Sequence, residues 1–218
     1  TIIVIGQVLT EPWLSIAREG QLSTWLTKTL PHDVAVRHSF ARKPKTLMRI
    51  FDSSHEWLRW HGRGRSLVPR IDSAIGRRWL EHVQRLDSTS FAGGDRDAWS
   101  QGMPDIYALQ RWKVIGSLTM AMREDFDFVY FTTASSYVRP GRLAEFVAEL
   151  PNTGVYAGTP VRDAISGVEF ASGANRIMSR DVVAEVLREK RRYRNDVMED
   201  VGLGRLIGEL GYPLIPWP

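Results

Sequence analysis

The stretch FDFVYFTTASS, Phe126 to Ser136, reads as a buried β-strand that breaks into a run of small hydroxyl residues. Phe126, Phe128, Val129, Tyr130 and Phe131 have the aromatic and β-branched character of a central strand. Thr132, Thr133, Ser135 and Ser136 follow where that strand should end. Ligands of open α/β sheets bind just outside the carboxyl ends of strands. A second apolar run, Ile2 to Ile5, stops at Gly6 and Gln7. These two strand ends therefore mark the edge where a ligand is expected.

Working outward, helices alternate with strands. Trp13 to Leu30 has mixed helical spacing and is stopped by Pro31, and Val34 to Val36 gives a short strand. Residues 40–72 read as an irregular basic insertion. Trp79 to Leu86 looks helical, and Ala92 to Pro104 reads as loop, broken by Gly93, Gly94, Gly102 and Pro104. Ile106 to Met122 carries a helical stripe of Leu109, Trp112, Ile115, Gly116, Thr119 and Met122. Pro140 opens a helix whose inner face is Leu143, Phe146, Val147 and Leu150. Val155 to Gly158 is another strand. Ser179 is the expected N-cap of a helix facing inward through Val182, Val183, Val186 and Leu187. A last helix begins at Glu199 and Asp200, buries Leu203, Leu206, Ile207 and Leu210, and stops at Gly211. This alternation predicts an α/β fold, with a mixed, mostly parallel sheet flanked by helices, in one domain over 1–218.

Composition narrows the chemistry. The 218 residues are 43% hydrophobic, enough for one sizeable core. No apolar run is long enough to span a membrane, and no signal-peptide pattern occurs. The chain starts directly in a strand-like segment, as expected of a trimmed start or a domain cut from something longer. Cysteine is absent, which excludes disulfides, thiolate metal sites and cysteine nucleophiles, and suits a reducing cytoplasm. The formal net charge is +4, and it is unevenly placed. Residues 37–70 hold nine Arg or Lys against Asp52 and Glu56, and a second cluster comprises Arg188, Lys190, Arg191, Arg192 and Arg194. Such patches suit phosphate, anionic lipid or nucleic acid.

Familiar catalytic signatures are missing. There is no Walker loop, no GxGxxG after the first strand and no GxSxG elbow. All five histidines precede residue 83, and none has the spacing to Glu of a zinc hydrolase helix.

What remains is an ordered set. It comprises Tyr107, Leu109 and Lys113 on one helix, the Thr/Ser junction, then Tyr137, Val138, Pro140 and Leu143. Gly158, the segment FASGANRIMSRD from Phe170 to Asp181, EDVGLG from Glu199 to Gly204, and LGYPLI follow. Over about Asp105 to Ile215 the chain resembles GT-A glycosyltransferases, similar to the β-1,3-galactosyltransferase-like families. Those carry a Y-x-N-L-x-x-K helix, a strand ending in DxD, a V-x-P-x-x-L helix start, an SG-x-x-x-x-(L/M)-S-R-D segment and an E-D-V-x-L-G helix start. The family's DxD falls at Thr133, Ala134 and Ser135, where this chain has no carboxylate. It is similar in this to bacterial GT-A relatives with a Thr/Ser-rich junction.

The resemblance implies a sugar transferase, inverting, using a UDP- or GDP-sugar donor and a glycan or other hydroxyl acceptor. Asp200 would be the general base and Glu199 its support or alternative. Ser172, Gly173 and Ala174 would floor the donor sugar, and Trp57, Trp60, Trp99 and Tyr156 are candidates to stack on sugar rings. Hydroxyls replace the metal-holding carboxylates, so a divalent cation (Mn or Mg) is disfavoured and no metal ligand is assigned. The nearby Asp125 and Asp127 could act as displaced ligands. The diphosphate would then be met by Lys113, Arg191, Arg192 and Arg194 and by the hydroxyls of Thr132, Thr133, Ser135 and Ser136. The expected place is the cytoplasm, with peripheral membrane contact through the basic segment. Two other functions fit the same features: a GT-A domain that binds nucleotide or glycan without catalysis, and a basic nucleic-acid or anionic-surface binder. Against nucleic acid, aromatics do not interleave with the basic residues.

Overall fold

The computed structural model describes residues 1–8, 19–21, 24, 34–42, 45–60, 71, 98–104, 106–133, 136–194 and 196–217. Among the described residues seven strands form one sheet: β1 (Ile2–Val8), β2 (Val34–Arg42), β3 (Ala98–Pro104), β4 (Phe128–Thr133), β5 (Tyr156–Arg162), β6 (Glu169–Ser179) and β7 (Leu214–Pro216). Their order is β3-β2-β1-β4-β6-β5-β7. Only β6 runs antiparallel to its neighbours, β4 and β5. Among the described residues the α-helices are α1 (Thr46–Trp60), α2 (Gln110–Ala121), α3 (Pro140–Ala148), α4 (Arg180–Arg188) and α5 (Glu199–Glu209). The fold is thus α/β with a mixed, mostly parallel sheet flanked by helices, as the alternation of elements predicts.

The period-2 pleat sorts the core into two layers. Ile3, Ile5, Val129 and Phe131 face one side, with α2, α4 and α5 packed on them. Ile2, Val4, Phe128 and Tyr130 face the other, against Leu143 and Val147 of α3. Strands buried on both faces need continuous apolar runs, which is what IIVI and FVYF supply. On the second face Trp217 stacks on Phe146, 4.7 Å between centroids, and meets Tyr130 edge-on.

Two expectations are corrected. The segment 40–72 is not irregular where it is described: β2 continues to Arg42, and Thr46–Trp60 is helix. Its inner face, Met48, Phe51 and His55, was masked in the sequence by a second apolar set at Leu47, Ile50 and Trp57. Within the expected loop, Ala98–Pro104 is the edge strand β3, paired with β2 across a register shift. Its Ser, Gln and Gly content carries no strand signal, and Pro104 is tolerated at an edge. The helices expected at 13–30 and 79–86 lie outside the described residues, apart from Glu19, Gly20, Gln21 and Thr24. No helix among the described residues is long and apolar enough to cross a membrane.

Candidate functional site

The sheet reverses its winding at β1, which has β2 on one side and β4 on the other, both parallel to it. A crevice opens at such a switch point, outside the carboxyl ends of the strands. Gly6 pairs with Thr132 and Gln7 with Thr133, so the two strand ends singled out in the sequence stand side by side. The strand runs two residues further than expected and takes in both threonines. Thr132 is 0% exposed, which leaves Thr133 and Ser136 as the accessible hydroxyls among the described residues of the junction. Their oxygens are 2.7 Å apart, and the Ser136 N–H donates to the Thr133 carbonyl at 3.1 Å, closing a tight turn. Ala134 and Ser135 lie outside the described residues.

Because β6 runs antiparallel to β4, its middle passes the same edge. Phe131 pairs with Arg176 and Thr132 with Asn175, so Ser172, Gly173 and Ala174 continue beyond them. Asp200, in the first turn of α5, docks there. One carboxylate oxygen accepts from the Gly173 N–H at 3.3 Å and the other from the Val201 N–H at 3.0 Å. The helix N-terminus complements its charge. A Cβ at 173 would lie 3.4 Å from the Asp200 carboxylate, so glycine keeps the space beside it open.

Glu199 is held differently. Arg176, 0% exposed, meets its carboxylate at 2.9 and 3.2 Å, and the Tyr193 hydroxyl donates to it at 2.8 Å. The guanidinium also lies over the Phe131 ring, 4.8 Å from its centroid. Burial works against the Arg176 charge, yet Glu199 more than offsets this and raises its pKa. Burial first, and then Glu199, pushes the Tyr193 hydroxyl well above its ordinary value. Nothing in the sequence marked Arg176 or Tyr193 as Glu199's partners.

α2 approaches the crevice from the other side. The Ser117 hydroxyl donates to the Lys113 carbonyl at 3.0 Å and lies 2.7 Å from the Ser39 hydroxyl. Ser39 pairs with Gln7. Lys113 stands one turn nearer the start of the helix than Ser117.

Arg192 of the arginine cluster is placed elsewhere. Arg192 bonds Glu209 at 3.1 Å, at the far end of α5, about 14 Å of helix rise from Asp200. Arg194 pairs with Asp196, and Arg188 with Glu185 and Glu189. Arg191 is exposed on the same connection. The Arg188, Arg192 and Arg194 charges are met by local carboxylates, as at a basic helix C-terminus.

Asp125 and Asp127 are exposed and precede β4, whose length alone puts about 16 Å of strand between them and Thr133. They cannot stand in for the missing carboxylates. Hydroxyls at the junction do not fit a divalent cation, which needs hard anionic oxygens. Among the described residues no three His, Asp or Glu side chains converge on one point. Tyr156 is 1% exposed and its hydroxyl accepts from the Ala171 N–H at 2.9 Å, so it is core and not a stacking platform. Trp57 is exposed on α1, and the side chains of Trp60 and Trp99 are outside the description.

Beyond Asp200, Gly204 and Gly208 continue the same face of α5 at i, i+4 spacing. They line a shallow groove of about 380 Å³ with Ser166, Val168, Glu169, Arg205 and Glu209. No protein-family model matches this chain, and no curated protein matches it.

Proposed function

We propose that this chain is a GT-A-like glycosyltransferase that moves a sugar from a nucleotide-activated donor to an acceptor hydroxyl. The observation that carries the reading is the half-buried Asp200 carboxylate, held against Gly173 where β6 passes the switch-point crevice. The ordered motifs from Tyr107 to Gly204 and the mostly parallel sheet support it.

In this reading the nucleoside diphosphate lies between Gly6-Gln7 and Thr133-Ser136. Lys113 supplies the positive charge, with hydroxyls and backbone N–H groups adding hydrogen bonds. The acceptor hydroxyl approaches along α5. As its oxygen forms the bond to the anomeric carbon, Asp200 takes its proton. The bond from that carbon to the diphosphate breaks, and the leaving group departs with the electron pair. No step passes through a metal. Arg191, Arg192 and Arg194 are not needed.

A thermal-shift panel of nucleoside diphosphates and nucleotide sugars, with manganese and with EDTA, tests the reading. Stabilisation by a UDP- or GDP-sugar in EDTA, with donor turnover, is the expected result. Binding without turnover would favour a glycan- or nucleotide-binding domain, which the absence of carboxylates at 133–135 also suits. No stabilisation by any nucleotide would contradict both.

A further inference from the structure

β5 is antiparallel to β6, and β6 to β4, so β5 points the same way as β1 and β4. Its carboxyl end, with the 163–168 connection into β6, therefore stands at the sheet edge that carries Gly6-Gln7 and Thr132-Thr133. α5 lies along β6 at that end: Asp200 meets Gly173, and a Cβ at Gly204 would meet Phe170. The groove of about 380 Å³ between α5 and the connection thus begins one helical turn beyond Asp200. Among the described residues its lining has no aromatic ring and no aliphatic side chain larger than Val168, which gives an acyl chain little to bury against. Glu209 is engaged through both oxygens, by Arg205 and by Arg192, each at 3.1 Å. The Ser166 hydroxyl donates to Asp163. Glu169 is exposed, and among the described residues its carboxylate has neither a hydrogen bond nor an ion pair, although Arg162 is its cross-strand neighbour. Glu169 is therefore the open acceptor of the groove.

Hydroxyl groups donate to a free carboxylate, whereas phosphate, sulfate and carboxylate groups are repelled by it. At Gly208 nothing lies within 4 Å of a would-be Cβ, so the helix backbone is open to the approach of a sugar ring. Ligand pockets run from about 300 to 1,000 Å³, and a groove near the lower bound suits a short stretch of sugar chain. We propose that this groove binds a neutral oligosaccharide acceptor, holding the part of it behind the ring whose hydroxyl reaches Asp200. The proposal rests on the glycosyltransferase reading and names its acceptor class. Gly204 and Gly208 are about 6 and 12 Å of helix rise from Asp200, so an acceptor that reaches both Asp200 and the groove is longer than a single ring.

The test uses the full chain and two variants, Glu169→Gln and Gly208→Phe, on an array of neutral monosaccharides and oligosaccharides beside sulfated and sialylated ones. A thermal shift with a nucleoside diphosphate is measured on the same proteins. Both positions are exposed, so the variants should melt with the parent. The parent should bind neutral oligosaccharides in preference to monosaccharides and to the anionic saccharides. Each variant should lose about tenfold in that binding and keep the shift given by the nucleotide. No saccharide binding by the parent overturns the proposal. So does binding that both variants retain, or a preference for the sulfated or sialylated saccharides. A parent that binds neutral oligosaccharides in the groove but no nucleotide would uphold the groove and count against the transferase reading alone.

Discussion

Arg176 and Glu199 join β6 to α5 through an ion pair of 2.9 Å in which the arginine is wholly buried. A buried pair is costly to form but more costly to break, because removing one partner strands the other's charge. Glu199→Gln should therefore destabilise the protein by about 3–5 kcal/mol. Arg176→Met combined with Glu199→Leu should recover most of that loss. Urea unfolding of the three proteins measures this. A single Glu199→Gln variant within about 1 kcal/mol of the parent would show that the pair does not anchor α5.

The two glycines of EDVGLG have a packing reason. A Cβ at 202 would lie 2.6 Å from the Arg194 carbonyl oxygen, and one at 204 would lie 2.3 Å from the Phe170 Cβ. Gly204→Ala should cost about 1–3 kcal/mol and lower donor turnover, since it pushes α5, and Asp200 with it, off β6. Gly208 has nothing within 4 Å of its would-be Cβ. Gly208→Ala should be stabilising by up to about 1 kcal/mol, because alanine favours the helix. Equal effects at the two positions would contradict the packing argument.

Lys113 and Arg192 separate the crevice from the surface cluster. Lys113→Met should weaken nucleotide binding about tenfold, the loss of one charge-assisted contact. Arg192→Ala, whose partner is Glu209, should change it less than about twofold. Titration calorimetry with a nucleoside diphosphate distinguishes them, and the reverse order would move the diphosphate to the arginine cluster.

Burial pushes the Tyr156 hydroxyl up to about 12 and that of Tyr193 well above its ordinary value. Unfolded tyrosines ionise near pH 10, so between about pH 10 and 12 the unfolded chain holds fewer protons than the folded one. Stability from these groups is complete below about pH 10 and is lost as pH rises through the folded values. Tyr156 alone should account for a fall of about 2–3 kcal/mol by pH 12. Chemical denaturation at pH 8 and pH 11.5 measures it. Equal stability at both would contradict it.

Elements with a single apolar signal were legible in the sequence: β1, β4, α3, α4, α5 and the burial of Val182, Val183 and Val186. α1 was not, because it has two apolar faces and period-3.6 logic expects one. β3 was not, because an edge strand needs little hydrophobicity. The strand ends at Gly6-Gln7 and Thr132-Thr133 were legible from position, and their pairing confirms that they adjoin. Partners distant in sequence could not be read. Ser179, Arg180 and Asp181 show what such motifs can carry. Ser179 stands at the N-cap position, yet its hydroxyl donates to Asp181 at 2.6 Å and accepts from the Val155 N–H. Arg180 donates to the Glu124 carbonyl at 2.9 Å, just past the end of α2, and Asp181 accepts from the Gly154 N–H at 2.9 Å. That triplet ties elements together at the edge of the sheet opposite the crevice.

The central claim is that Asp200 is the base. Asp200→Asn is nearly isosteric and still suits a helix N-terminus, so stability should change by about 1 kcal/mol or less. Removal of a general base should slow transfer by about 10²–10⁴-fold. The direct measurement is the turnover of a nucleotide-sugar donor by the variant, alongside its melting temperature and its affinity for the nucleotide. The account predicts a folded, nucleotide-binding protein with turnover reduced by at least about a hundredfold. Near-normal turnover in a folded Asp200→Asn protein would contradict it.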